Sequence, residues 1–296
     1  MPIRPLSDQV RQLFLDAHCD GYLHVIDIDR GDQVAVNADT LVAAASVFKV
    51  QVALEFFRQV ANGRLAADEL ITITPARRTP GPTGISLFRN DVQVSLQDLN
   101  VLMLTISDNA ATDALMARVG LDNVQALGIS LGLTRTCLRG DTQELLDSLA
   151  KSAGFAGWNA LSRARSPDPE LLRRALEPER TTCTTAREAT SLLSAIWRQT
   201  TAPPAACAEV QRLMRHQLAR NRLAGAFDQS VQVSAKSGSL LGYVRNEVGV
   251  VVPPDGRRYA VAVFTMAWQQ YADEAQINCT IGEVARKAVD HLQEAS

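Results

Sequence analysis

A serine and a lysine stand three residues apart at the start of a largely apolar segment. Ser46 and Lys49 lie in the run LVAAASVFKVQVALEFFRQVANG. Residues three apart share a helix face, and the first turn of a helix offers unpaired N–H groups and the positive end of the dipole. A lysine that burial keeps neutral could take the serine proton, so the pair could supply a nucleophile and a base without histidine. Alternatively, Lys49 extends its ammonium to solvent from one helix face.

Lysine is scarce in this chain, since four of its 30 basic residues are Lys and the others are Arg. Arg keeps its proton in proteins, whereas a buried Lys can lose it, so a retained Lys favours proton chemistry. A second Ser-x-x-Lys match runs from Ser148 to Lys151. It lacks the small residues before the serine and the long apolar helix after the lysine, and a solvated helix face explains it.

Two further triplets could complete a site around the first pair. Ser107-Asp108-Asn109 lies between two predicted helices, where it is alternatively an ordinary helix cap. Lys236-Ser237-Gly238 ends a predicted strand, where it is alternatively an ordinary turn. The three motifs therefore follow the order helix start, inter-helix loop and strand end.

In this order and these contexts the chain resembles the penicilloyl-serine transferase superfamily, and within it the class A β-lactamases, whose motifs are S-x-x-K, S-D-N and K-T-G. The third motif has Ser here in place of Thr, a small change between two hydroxyl residues. The likeness covers nearly the whole chain, and NEVGVVVPPDGRRYAVAVFT resembles the family's final hairpin. It implies an active-site-serine hydrolase that opens β-lactam-type amides through an acyl-enzyme.

The resemblance implies catalytic roles for four residues. Ser46 would be the acylated nucleophile, and Lys49 would share in removing its proton. Ser107 would pass a proton to the leaving nitrogen, and Lys236 would sustain the electrostatic field around Ser107.

The resemblance also implies substrate-binding roles along the second and third motifs. Asn109 would help to hold the substrate and the lysine of the first motif. Ser237, beside Gly238, would contact a substrate carboxylate, and the backbone N–H of Ser239 would form an oxyanion hole with that of the nucleophile. Arg245 would add an anion contact, or alternatively form a structural ion pair.

The chain departs from the family in the loop that activates the deacylating water. A class A enzyme carries a glutamate there, in a run of the Glu-Pro-Glu-Leu-Asn type. The nearest match is Asp168-Pro169-Glu170-Leu171-Leu172, in which Asp168 replaces the glutamate and Leu172 the asparagine. A displacement of about 1 Å can cost about a hundredfold in rate, and leucine cannot hydrogen-bond a water. Glu170 is an alternative acid, and deacylation is expected to be slow.

Residues 138–167 are predicted to be an insertion flanking the cleft. The segment contains three further acids, each either the water-activating group or a surface charge: Asp141, Glu144 and Asp147. Phe155 and Trp158 in the same segment would line an enlarged site or pack within the core.

The element pattern predicts an α+β fold, because strands occur at both ends of the chain and helices between them. The terminal strands would form a mainly antiparallel sheet of about five strands, covered by the terminal helices. We predict one catalytic unit over 1–296. Its α/β lobe comprises 1–45 and 226–296, its helical lobe comprises 46–225, and an extended active-site loop spans about 138–180.

Composition argues against several classes of partner. The chain has 296 residues and a net charge of −2, so no surface for nucleic acid or anionic membrane is expected. The five cysteines and four histidines show no metal-ligand spacing, and we expect no metal and no cofactor. The first 20 residues read as an amphipathic helix and not as an export signal. The expectations are a monomer with a small-molecule substrate, cytoplasmic as the sequence stands or exported if a leader was trimmed.

Three functions remain open from the sequence. The first is the serine hydrolase described above, with slow deacylation. The second is a cytosolic acyltransferase, esterase or amidase of the same fold that acts on a small metabolite. The third is a non-catalytic binding homologue, which the retained lysines disfavour.

Overall fold

The computed structural model describes residues 5–295. Its strands are β1 (Cys19–Asp27), β2 (Gln33–Val36), β3 (Val42–Ala43), β4 (Leu70–Ile73), β5 (Val92–Ser95), β6 (Cys183–Thr184), β7 (Gln232–Leu240), β8 (Val244–Val252) and β9 (Tyr259–Ala267). Five of these form the central sheet in the order β2-β1-β9-β8-β7, with every neighbouring pair antiparallel. Strands from both ends of the chain therefore share one sheet, which confirms the predicted α+β class.

Helices fill the middle of the chain and both of its ends. They are α1 (Leu6–Asp16), α2 (Lys49–Ala61), α3 (Leu96–Thr105), α4 (Asn109–Val119), α5 (Leu121–Ser130), α6 (Thr142–Ser152), α7 (Trp158–Leu161), α8 (Pro169–Ala175), α9 (Ala186–Trp197), α10 (Pro204–Arg215) and α11 (Glu274–Glu294). Within residues 5–295, no helix has both the length and the apolarity needed to cross a bilayer.

The central sheet is covered on both faces. Helices α1 and α11 pack on one face, where Val10, Phe14 and Ile281 join a core with Val261 of β9. Helix α9 and the helical middle of the chain pack on the other face. Gly21 permits the close approach of α1, because a Cβ there would lie 2.1 Å from the Phe14 ring.

Local signals in the sequence placed several element boundaries correctly. The β1–β2 hairpin turns at Gly31, which has φ of +89° and donates its N–H to the carbonyl of Asp27. Ser95 caps α3 by accepting the N–H of Asp98, and Asp273 caps the last helix, α11. Side-chain oxygens of this kind satisfy the free N–H groups of a first turn.

The structure corrects two details of the predicted elements. Ser46 lies in a 3-10 turn (Ala45–Phe48), so α2 begins at Lys49. The Lys-Ser-Gly triplet lies inside β7, because pairing with β8 continues to Leu240.

The predicted insertion is a folded part of the molecule. Residues 138–167 contain α6 and α7, and α8 follows immediately. Leu145, Leu149 and Ala150 of α6 are buried in the core that also contains α2 and α4. The insertion therefore forms one side of the helical region and is not a loose surface loop.

Candidate active site

The three motifs meet at one cleft. A cavity of about 560 Å³ is lined by six of the predicted site residues and by residues of the insertion. The predicted residues in its lining are Ser46, Ser107, Asn109, Ser237, Gly238 and Ser239. The two lysines of the motifs are fully buried, at 0% exposure each. Positions as far apart as 46 and 239 thus converge, as the motif pattern predicts.

The turn that carries Ser46 is held by its neighbours. Ala45 has φ of +49°, a left-handed conformation that is uncommon for a residue with a Cβ. The Asn246 side chain of β8 donates to the carbonyls of Ala43 and Ala44, at 2.8 and 3.3 Å. The approach to Ser46 is therefore fixed by the sheet, while Ser46 itself remains partly accessible.

Gly238 allows strand β7 to touch this turn. A Cβ at Gly238 would lie 3.0 Å from the Ser46 nitrogen and 3.0 Å from the Ala45 Cβ. Such distances are too short for an ordinary contact with backbone. The glycine of the third motif is thus explained by close packing of two backbones, a use typical of strand glycines.

The backbone amides of β7 alternate in direction along the strand. β7 is an edge strand of the central sheet, so half of its N–H groups face away from β8. The Ser237 N–H is one of these, because it donates to Gln217 Oε1 at 2.5 Å. Ser239 lies two residues on, so its N–H also faces the open edge of the sheet.

Lys49 is bound by the second motif. Its Nζ donates to the Ser107 carbonyl at 2.8 Å, to Ser107 Oγ at 3.3 Å and to Asn109 Oδ1 at 2.9 Å. Burial lowers the pKa of Lys49 from 10.5 to about 7, and the carboxylates of Asp113 and Asp108 partly oppose the shift. Near neutral pH the amine is therefore close to its midpoint of protonation.

Ser46 Oγ is not among the hydrogen-bond partners of Lys49 in residues 5–295. Three donated bonds use all three protons of an ammonium, whereas a neutral amine has two protons and a lone pair. The three contacts fit the ammonium, and they also fit a neutral amine that accepts the Ser107 hydroxyl. The contact with Ser107 Oγ is the longest of the three.

Lys236 lies below the third motif. Its Nζ donates to the Ser237 carbonyl at 2.8 Å. Burial lowers the pKa of Lys236 well below its ordinary value, the charge of Lys49 lowers it further, and Glu247 opposes the shift. The two motif lysines therefore place concentrated positive potential beneath the serines that line the cleft.

The second motif is anchored through its aspartate. Asp108 is fully buried, caps α4 at the Ala111 N–H and accepts the Ile85 N–H at 2.6 Å. The cap predicted from sequence is therefore present, in addition to the contacts with Lys49. Ser107 before it has φ of +60°, which turns its carbonyl and hydroxyl toward the buried amine.

Residues outside the three motifs hold β7 in place, and no sequence pattern reveals them. Arg222 donates to the Gly238 carbonyl at 3.1 Å, to the Asn246 carbonyl at 2.7 Å and to Ser239 Oγ at 2.9 Å. Glu247, also buried, accepts the Leu223 N–H at 2.6 Å. Nothing in the local sequence distinguishes Arg222 from the other arginines, so only tertiary packing identifies it.

Besides the two buried lysines, three predicted site residues lie outside the lining of this cleft. Asp168 is exposed and caps α8 by accepting the Glu170 N–H at 2.8 Å. Glu170 is exposed and lines a separate cavity of about 420 Å³. Arg245 forms an ion pair with Glu274, which agrees with the alternative of a structural role.

The acids of the insertion also act as helix caps. Asp141 and Glu144 form a reciprocal capping box at the start of α6. Asp147 accepts the Trp158 N–H at 2.9 Å. Trp158 lines the cleft, whereas Phe155 is not in its described lining. Among residues 5–295, the described lining of the Ser46 cleft contains no carboxylate.

The arrangement thus places a serine hydroxyl at a helix start beside the second motif, which binds a buried amine of lowered pKa. A hydroxyl and an amine of this kind are among the groups used in acyl transfer to a serine. The candidate site is therefore of the Ser-x-x-Lys type.

Comparison with known proteins gives the family. Residues 5–292 match the model of the beta-lactamase enzyme family, and the chain belongs to that family. A beta-lactamase regulatory protein, BlaB, of Streptomyces cacaoi is 30% identical, over 98% of this chain and 98% of its own. A beta-lactamase of Bacteroides uniformis is 24% identical, over 90% of this chain and 84% of its own.

Solved structures show the same fold. A mutant of PBP-A, in an acyl-enzyme complex with penicillin G, aligns with a TM-score of 0.77 at 22% identity and covers 99% of both chains. A beta-lactamase of Chitinophaga pinensis aligns with a TM-score of 0.80 at 20% identity, over 97% of this chain and 99% of its own. The resemblance predicted from the motifs is therefore confirmed at the level of family and fold.

Proposed function

We propose that this protein reacts with β-lactams through Ser46 and forms an acyl-enzyme that hydrolyses slowly. The observation that carries the proposal is the convergence of Ser46, Lys49, Ser107 and Lys236 around one cleft whose lining lacks a carboxylate. Neutral Lys49 accepts the Ser46 proton, and Ser46 Oγ adds to the lactam carbonyl. The N–H groups of Ser46 and Ser239 stabilise the oxyanion.

The second motif completes the acylation step. Ser107 returns a proton to the lactam nitrogen as the C–N bond breaks, and Lys236 favours the negative charge that develops nearby. Apo geometry is commonly looser than the reacting complex, so the Lys49–Ser46 contact forms when Lys49 gives up its bond to Ser107 Oγ.

Intact-mass spectrometry after incubation with benzylpenicillin tests the acylation step. We expect wild type to gain the mass of one penicillin and Ser46→Ala to gain none. Ser148→Ala is the matched control, because it removes the serine of the other Ser-x-x-Lys match and should label as wild type does. An equal adduct on Ser46→Ala, or no adduct on wild type, would overturn the proposal.

Slow hydrolysis follows from the position of the acids. Since Asp168 and Glu170 lie on the exposed side of α8, we expect Asp168→Asn and Glu170→Gln to leave the decay of the adduct unchanged. The measurement is the loss of adduct mass with time after free penicillin is removed. A decay at least tenfold slower in either variant would restore that residue to the role predicted from the sequence.

A persistent acyl-enzyme also suits a second function, that of a β-lactam sensor. The supporting observation is the name of the relative from Streptomyces cacaoi, a regulatory protein that matches this chain over nearly its full length. A cytosolic esterase or acyltransferase is the rival. Turnover of simple esters or thioesters, together with no penicillin adduct, would favour that rival over both β-lactam functions.

A further inference from the structure

Helix α6 of the insertion forms one wall of the cleft. Thr142, Leu145 and Leu146 of this helix line the cavity that contains Ser46. The width of the cleft on this side therefore depends on where the first turn of α6 is held. That first turn has three N–H groups without partners inside the helix, as any helix start does.

Two carboxylates satisfy those three N–H groups, and one of them comes from another helix. Asp141 accepts the third N–H, that of Glu144, at 2.9 Å. Asp113 of α4 accepts the first two, from Thr142 at 2.7 Å and from Gln143 at 2.9 Å. Asp113 is thus a helix cap supplied across a tertiary contact, at the positive end of the α6 dipole.

Asp113 also binds a second segment that leads to the cleft. The Thr79 hydroxyl donates to Asp113 Oδ2. The next residue along the chain, Pro80, lines the cleft and accepts the Asn109 Nδ2 at 2.8 Å. One side chain of α4 therefore connects two walls that approach the cleft from different parts of the sequence.

Asp113 and Asn109 share a face of α4, because they are four residues apart. Asn109 binds the Lys49 amine, and the negative charge of Asp113 acts on the same amine. The other charges facing that amine are Asp108 and Lys236. The charge that faces Asp113 from α6 is Asp141.

We propose that Asp113 is a positioning residue of the acylation site, which holds α6 and the Thr79 segment against the cleft and supplies a negative charge to Lys49. The inference rests on the proposed function. It assigns Asp113 no contact with the substrate. Its effect on acylation passes through α6 and through Lys49.

The test compares Asp113→Asn with Asp141→Asn, which removes the other cap of the same helix. The rate constant for acylation by benzylpenicillin is measured from pH 5.5 to 9 for wild type and both variants. Hydrogen–deuterium exchange of residues 142–152 is measured in parallel, without ligand.

We expect Asp113→Asn to acylate about tenfold more slowly at pH 8, since an amide cannot accept both N–H groups. The acidic side of its pH–rate profile, which we call the acid limb, should move to lower pH, because the Asp113 charge that raises the pKa of Lys49 is gone. Exchange in residues 142–152 should be faster in both variants. The acidic side of the pH–rate profile of Asp141→Asn should remain at the wild-type pH. If the role of Asp113 were merely structural, the profile of Asp113→Asn would also remain there.

Asp113→Glu keeps the charge and lengthens the side chain, and it serves if Asp113→Asn fails to fold. We expect it to retain the wild-type acid limb while acylating more slowly. A wild-type rate and acid limb in Asp113→Asn, or a shifted limb in Asp113→Glu, would overturn the inference. If wild type itself forms no adduct, the proposed function fails. Independently of that result, unchanged hydrogen–deuterium exchange in Asp113→Asn would show that Asp113 does not hold α6 in place.

Discussion

Lys49 combines two properties that oppose each other in most proteins. It is fully buried, and its Nζ lies within hydrogen-bond distance of three oxygens of Ser107 and Asn109. Burial favours the neutral amine, whereas the carboxylates of Asp113 and Asp108 favour the ammonium. The balance places its pKa at about 7, which is the range in which a general base works best at physiological pH.

The pH dependence of acylation is the corresponding prediction. If neutral Lys49 is the base, the acylation rate rises with pH through a pKa of about 7 and levels off above it. The sign follows because the amine accepts the Ser46 proton only after losing its own. Stopped-flow labelling with a fluorescent penicillin measures the profile. A rate independent of pH between 5.5 and 8.5 would show that Lys49 is not the base.

The contact between β7 and the Ser46 turn shows how an element positions the site. Gly238 lets the two backbones meet, and Arg222 and Gln217 hold β7 from its other side. The strand is therefore fixed where it meets the Ser46 turn. In the proposed mechanism, a small shift of β7 would move the Ser239 N–H away from Ser46.

Gly238→Ala tests this contact directly. The added methyl would lie 3.0 Å from the Ser46 nitrogen, so one backbone must move. A displacement of about 1 Å can cost about a hundredfold, and we expect acylation to slow by at least tenfold. Gly63→Ala controls for loss of stability alone, because its φ of +69° strains an alanine while the methyl meets nothing within 4 Å. Equal acylation rates in the two variants would show that close packing at Gly238 is unimportant.

At the scale of the whole molecule, the sequence predicted what depends on pattern and local chemistry. The sheet formed from both chain ends and the convergence of the three motifs agree with the structure. Periodicity and capping residues reveal such features because they act over a few neighbouring residues.

The remaining features depend on contacts between distant segments. Arg222 and Asp113 belong to no motif, yet each binds backbone groups from another element. Asp168 is in the expected loop register, but its carboxylate caps α8, since a local N–H is the nearest donor to satisfy. Sequence register could not distinguish a catalytic acid from a helix cap there.

Buried lysines should also affect the pH dependence of stability. The pKa of Lys49 in the folded chain is about 7, below its ordinary value of 10.5. Between these values the unfolded chain binds a proton that the folded chain does not, so the free energy of unfolding rises with pH across the window. Below pH 7 the folded chain contains the buried Lys49 ammonium, and the full cost of burying this charge lowers the free energy of unfolding.

Lys49→Met removes this contribution. The slope of the unfolding free energy between pH 7 and 9 should fall by up to about 1.4 kcal/mol per pH unit, the value for one proton. The charge of Lys49 also lowers the pKa of Lys236. Removing Lys49 therefore brings the pKa of Lys236 closer to its ordinary value, which also decreases the slope. Urea denaturation at several pH values compares the two proteins. Parallel curves would contradict the lowered pKa.

The lifetime of the acyl group on Ser46 tests the central claim most directly. Wild type is labelled with benzylpenicillin, freed of excess ligand and followed by intact-mass spectrometry, with the modified peptide located by digestion. We expect one adduct on Ser46 that persists for hours, because Ser46 and Ser107 line the cleft beside the buried Lys49, and its described lining contains no carboxylate. Rapid return to the unmodified mass with release of hydrolysed penicillin, or an adduct on any other residue, would contradict it.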